Sequence, residues 1–237
     1  MALTMISFTP SVGQAASLSG DLSVEDVNTI TEKIVFPSQH RSWTAHALTP
    51  EGVLGFDLGL ETAFVLKRDL YELGDGSAVA PNITPVPRFW IGVEFPYHIK
   101  LSGSVGLGGT FDAIQTFGFG TQWAFYTKEE TGVAFSVDFR FTRVDVFGDL
   151  TSNVMGLSAQ ATKDLILWQP YFGAGFVVGN STASAEVMTS GAELGPHTTA
   201  TYHLFVGARI DLIAKLSIQL DVTAANPSLG VMLEKSF

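Results

Sequence analysis

Ten charged side chains stand at alternate positions of otherwise apolar segments: Asp57, Glu61, Glu94, Lys100, Asp138, Arg140, Arg209, Asp211, Asp221 and Glu234. Acids outnumber bases among them, and Arg140 and Arg209 have acids close by in sequence. Two kinds of chemistry suit such a set. One is a bracing network of ion pairs on a polar, enclosed face, and the other is a path for an ion or solute. Nucleophilic and metal chemistry find less support. The chain has no cysteine, His203 and His197 have Ser and Thr nearby but no motif around them, and no His/Asp/Glu spacing suggests a metal site. The glycine runs at 106–109 and 118–120 lead into no helix that would hold a phosphate. The sequence therefore predicts no enzyme, no catalytic residue, no metal and no cofactor.

The elements that must position these charges are read from periodicity. From about residue 53 onward, side chains alternate as they do in strands, where neighbours point to opposite faces. Leu54, Phe56, Leu58, Leu60, Thr62, Phe64 and Leu66 share one face; Gly55, Asp57, Gly59, Glu61, Ala63 and Val65 share the other. The same pattern recurs around 89–95, 99–107, 117–125, 133–141, 153–163, 172–178, 204–212, 216–222 and 229–237, which makes ten strands. The segment 153–163, with small residues on both faces, shows it least.

The face opposite the apolar one distinguishes a soluble sandwich from a membrane barrel. A soluble sheet would carry Lys, Glu and Thr there, but here Gly, Ala and Ser dominate with scattered acids, as suits a narrow lumen. The apolar faces run roughly nine to thirteen residues in most strands, enough to cross the hydrocarbon as tilted strands. Phe56, Leu58, Phe119, Val137, Val206 and Leu220 are expected to face lipid; Asp57, Gln122, Asp138 and Arg209 are expected to face inward. Connections alternate in length, with short steps at Pro96-Tyr97-His98, Lys128–Gly132 and Ala214-Lys215, and long ones at 67–87 and 179–201. The long loops are expected outside the cell, the short turns in the periplasm. On this topology Tyr97, Trp123, Phe125, Trp168 and Phe237 all fall at the periplasmic ends of their strands, the level that amphipathic aromatics favour.

Composition agrees with this reading. Of the 237 residues 46% are hydrophobic and only 15% charged, well below the usual quarter, yet a charged or polar residue interrupts every apolar run before the ~18 residues a membrane helix needs. A net charge of −10 with no Lys/Arg cluster argues against a nucleic-acid partner. The expected fold is thus all-β: an antiparallel up-and-down transmembrane β-barrel of about ten strands, spanning 51–237, with a short helical or irregular N-terminal segment.

The last residues, SLGVMLEKSF, resemble the C-terminal assembly signal of bacterial outer-membrane proteins, with Leu229, Val231 and Leu233 at alternate positions before a terminal Phe237; Lys235 departs from the apolar residue usual there. More broadly, 50–237 resembles the bacterial outer-membrane barrel superfamily, distantly the fatty-acid-transporter-like group. The resemblance implies location in the bacterial outer membrane, with outer-membrane lipid and the barrel-assembly machinery as partners. It also leaves two roles open: a small channel or transporter for small or hydrophobic solutes, or a plugged structural or adhesive barrel whose loops 67–87 and 179–201 bind partners.

Residues 1–18 have an apolar stretch followed by small residues but no basic start, and read as a signal remnant or a tail. Residues 19–50 do not alternate. SVEDVNTITEKI reads as a short helix with Ser23 as its N-cap and Asp26 in its first turn, ended by Pro37. This segment either lies across the periplasmic mouth or plugs the lumen, where Lys33, His40, Arg41 and His46 would meet acidic walls.

Overall fold

The computed structural model describes residues 22–43, 54–66, 83–107, 114–165, 167–188, 195–223 and 226–237. Ten antiparallel strands run in sequence order around a closed barrel: β1 (Gly55–Leu66), β2 (Ile83–Phe95), β3 (Ile99–Gly106), β4 (Ile114–Lys128), β5 (Val133–Val146), β6 (Leu150–Lys163), β7 (Trp168–Ala183), β8 (His197–Asp211), β9 (Lys215–Thr223) and β10 (Asn226–Ser236). β10 closes on β1 in continuous register from Asp57 opposite Ser236 to Val65 opposite Ser228, and the Phe237 amide donates to the Phe56 carbonyl at 2.9 Å. Closure leaves no edge strand, which a strand protein in lipid requires. At one end of the barrel the strands are joined by connections of three or four residues, 96–98, 129–132, 164–167 and 212–214. The other end has the long connections 67–82 and 184–196.

The facing follows the sequence pattern. Phe56, Leu58, Phe119, Val137, Val206 and Leu220 are 36–54% exposed on the outer wall, whereas Asp57, Gln122, Asp138 and Arg209 are 1–4% exposed within. An apolar surface this continuous is built for a lipid surround. Tyr97, Trp123, Phe125, Trp168 and Phe237 ring the short-turn end and are all exposed. A bulge between Ala124 and Tyr126 brings Tyr126 outward beside Phe125.

The facing inverts towards the long-loop end. Along β5 the outer residues change from Phe139 and Phe141 to Arg143 and Asp145, and the inner ones from Asp138 and Arg140 to Val144 and Val146. On β6 and β7 polar Asn153 and Asn180 face outward at this level, while Leu150, Val154 and Val177 are buried within. Apolar-in and polar-out is the arrangement of a water-soluble barrel, so the tall strands β4 to β8 carry a cap that stands clear of the lipid belt.

This inversion corrects the expected loops 67–87 and 179–201. β2 begins at Ile83, β7 runs to Ala183 and β8 begins at His197, so the connections shrink to 67–82 and 184–196. On β7 and β8 the extra residues carry polar side chains outward, Asn180, Thr182 and Thr198, as suits a position above the belt, whereas β2 adds an exposed Ile83. Pro85 and Pro87 fit at the end of the β2–β3 ladder: β3 ends at Gly106, opposite Arg88, and the contact beyond it, from the Leu107 amide to the Pro87 carbonyl at 2.9 Å, needs no proline N–H.

The N-terminal segment lies inside the barrel. Helix α1 (Val24–Ile30) starts at Ser23, whose hydroxyl accepts the Asp26 amide at 3.2 Å while the Asp26 carboxylate accepts the Ser23 amide at 2.8 Å, a reciprocal cap. A π-turn over Thr31–Val35 and a 3-10 turn over Phe36–Ser38 continue it, and extended chain follows from Gln39. Leu22 pairs with Met188 at the long-loop end, and β1 starts at the short-turn end. The chain therefore runs down the bore from the first end to the second. The tail at 1–18, His46 and the remainder of 44–53 lie outside the described residues.

Candidate functional site

The lumen has three levels. Towards the long-loop end, Val27, Ile30, Ile34, Val35 and Phe36 pack against the inward wall residues Val65, Val86, Val144, Val146, Leu150, Val154 and Val177 in one buried apolar cluster. Each of these side chains stabilises the seal by about 1.5–3 kcal/mol if fully withdrawn from water. Two polar contacts set the depth of the segment: Thr31 and Ser181 share a hydrogen bond between hydroxyls 2.7 Å apart, and Thr199 donates to the Asn28 side chain at 2.9 Å.

The middle level is polar and almost entirely buried. Arg41 donates through Nε to Asp221 at 2.8 Å, through Nη1 to Glu61 at 3.3 Å, and through Nη2 to Ser228 at 3.0 Å and to the Pro37 carbonyl at 3.2 Å. Arg88 comes from the wall to the same group, donating to the Gln39 carbonyl at 2.9 Å and lying 3.6 Å from Glu61. The His40 amide donates to Thr142 at 2.8 Å, and both its ring nitrogens bond to Ser104 and Ser102, each at 2.8 Å. Beside them Arg140 pairs with Asp138 at 3.0 Å and donates to His203 Nδ1 at 3.0 Å. A guanidinium cannot accept, so His203 Nδ1 must; its proton sits on Nε2, which donates to Asp221 at 2.8 Å. His203 is accordingly a neutral wall residue.

The lowest level, near the short turns, holds the remaining ion pairs. Lys100 meets Asp57 at 2.6 Å and Glu94 at 3.5 Å. Arg209 meets Asp211 at 3.1 Å and Glu234 at 3.8 Å. Lys215 lies 3.9 Å from both Asp57 and Glu234.

The ten charges singled out in the sequence thus fall into two groups. Asp57, Glu94, Lys100, Arg209, Asp211 and Glu234 gather in the lowest level, and Glu61, Asp138, Arg140 and Asp221 in the middle one. Arg88 was missed, although it continues the alternation of Trp90, Gly92 and Glu94 by one step. Lys215 was missed because it opens its strand at a turn. The role of Arg41 has no local signature, since its partners are 20 and 180 residues away. In the C-terminal strand Leu229, Leu233 and Phe237 are exposed outward and Val231 is half-buried; Lys235 lies over the Phe237 ring, 5.6 Å from its centre.

Glycines on the inner wall make room for the segment. A Cβ at Gly118 would stand 2.6 Å from His40 Cβ, one at Gly179 would stand 2.8 Å from the Phe36 ring, and one at Gly230 would stand 2.8 Å from Arg41 Cδ and Nε.

No protein-family model matches the chain, and no curated protein does. Among solved structures it is similar to the COG4313 outer membrane channel from Pseudomonas putida F1, with TM-score 0.46 and 10% identity over 84% of this chain and 100% of that one. It is also similar to Ail, the attachment invasion locus protein of Yersinia pestis, with TM-score 0.34 and 12% identity over 79% and 100%. A third is the N-terminal β-barrel domain of Pseudomonas aeruginosa OprF, with TM-score 0.31 and 11% identity over 76% and 97%. None of the three supports the finer resemblance to the fatty-acid-transporter-like group. With TM-scores below 0.5, these likenesses carry no argument about this chain. By its own closure, lipid-facing belt and polar lumen, the chain is a ten-stranded transmembrane β-barrel of the outer-membrane type.

Proposed function

We propose that the protein resides in the bacterial outer membrane as a channel for small solutes, closed in the described state by its own residues 22–43. The observation that carries this reading is the division of labour in the lumen. Small barrels fill their interior with wall side chains, but here the wall recedes to glycine at 118, 179 and 230 and a separate, non-strand segment takes the space. A filler that is not part of the wall can leave it. The C-terminal strand, ending on an outward Phe237, is the part the barrel-assembly machinery would engage.

The test uses the absence of native cysteine. Thr31 and Ser181 face each other across the seal, so Thr31→Cys with Ser181→Cys should form a disulfide that ties the segment to the wall. In planar bilayers the reduced protein should show voltage-induced openings, and oxidation should abolish them. Absence of conductance in both states, together with no solute flux into liposomes, would favour a second reading: a sealed barrel presenting its long-loop end to partners. The apolar cluster under that end favours this alternative.

Orientation has its own check. Glu25, on α1, is exposed near the long-loop end, and Glu130 is exposed in a short turn. Glu25→Cys should react with a membrane-impermeant maleimide on intact cells, and Glu130→Cys only after the outer membrane is permeabilised. The reverse result would place the long loops in the periplasm.

A further inference from the structure

We propose that Glu61, Asp221 and Ser228 form a binding site for a guanidinium-bearing cation, which Arg41 occupies as a tethered stand-in when the segment is seated. This deepens the closed-channel reading and rests on it for its setting. The three wall residues come from β1, β9 and β10 and present separate acceptors to three nitrogens of one planar group, at 3.3, 2.8 and 3.0 Å. That spacing matches the rigid fork of a guanidinium better than a compact ammonium, which cannot address three acceptors so arranged.

The wall is prepared for this group independently of Arg41. Asp221 Oδ1 accepts from His203 at 2.8 Å and from Gln219 at 2.7 Å, and Tyr171 in turn donates to Gln219 at 3.1 Å. This chain of wall contacts leaves Oδ2 turned to the bore. Glu61 Oε2, buried, accepts no hydrogen bond among the described residues, so the site retains acceptor capacity that Arg41 does not use. Gly230 provides a flat shelf, because any Cβ there would press on Arg41 Cδ and Nε.

Charge at this level leads to the same conclusion. Among the described residues, Arg88 is the wall cation paired with Glu61, and the one ionisable wall group paired with Asp221 is His203, which is neutral. One positive charge is missing, and Arg41 supplies it. When the segment leaves, water replaces it, and Glu61 and Asp221 keep their acceptors turned to the bore with one cation fewer between them. A soluble guanidinium compound that fills the place lowers the cost of leaving, so its binding and the opening of the bore are linked.

The experiment measures binding directly, with methylguanidinium as probe and methylammonium as control at equal ionic strength. Refolded Arg41→Gly protein is expected to bind methylguanidinium at least tenfold more tightly than methylammonium, and at least tenfold more tightly than wild type does. Adding Asp221→Asn should remove the preference. Folded Arg41→Gly protein that binds both cations equally, or neither, overturns the proposal. Should Arg41→Gly not fold, Ser38→Cys in the otherwise native chain reports release of the segment, because Ser38 is fully buried. Methylguanidinium should then accelerate its labelling by a thiol reagent several-fold while methylammonium does not, and equal effects overturn the site. Selective binding in a protein that never conducts would remove the channel reading alone. Conductance without cation preference would remove the site alone.

Discussion

Val137→Arg is expected to impair folding of the barrel into lipid, while Gln122→Arg leaves folding nearly intact. The two positions are close in space, because Val137 is the cross-strand partner of Trp123 and Gln122 that of Asp138. They differ in which side of the wall they face. Val137 is on the outer face, 36% exposed between Phe135 and Phe139 and opposite Trp123 of the aromatic ring, so an arginine there enters the lower part of the lipid belt, at a cost between the roughly 2–4 kcal/mol of the midplane and the ~0–1 kcal/mol of the boundary. Gln122 points inward, donates to Ser136 at 3.2 Å and has the Asp138 carboxylate beside it, so a new guanidinium finds a polar level and an acid. The heat-modifiable gel shift of each variant refolded into vesicles measures the difference. Folding of Val137→Arg alongside failure of Gln122→Arg would invert the facing and remove the membrane barrel with it.

A barrel that folds but no longer closes is the expected outcome for Gly118→Val combined with Gly230→Val. Both glycines are on the wall, and valine favours strands, so strand pairing should survive. The new methyl groups meet the segment instead, at His40 from one side and Arg41 from the other. Overpacking of this kind typically costs 1–3 kcal/mol per site, and here the wall is closed by strand pairing, so the segment is what yields. Single-channel recording should change from mostly closed to mostly open, with the gel shift retained. Gly103→Val is the control, because a Cβ there meets only ordinary contacts at 3.6 Å or more and should leave the protein closed. Persistent closure in the double variant, with the barrel folded, would show that the segment accommodates the clash and would count against its being removable.

What the sequence determined by itself is the wall. A strand's facing is a local property with a period of two, so Phe56 against Asp57, or Val137 against Asp138, could be assigned from neighbours alone, and the small, weakly charged residues on the second face pointed to a membrane barrel over a soluble sandwich. Above the lipid belt, apolar residues such as Val144 and Val146 turn inward while Arg143 and Asp145 turn outward, and nothing in the alternation says which face meets water and which meets a core. Only the tertiary structure decided that residues 22–43 supply the core there, that Arg88 joins the charged lumen, and that Arg41 lies between Glu61, Asp221 and Ser228. The physical reason is separation: these partners lie on strands brought together by barrel closure, up to 187 residues away in the chain, and period, composition and spacing carry no record of a contact at that distance.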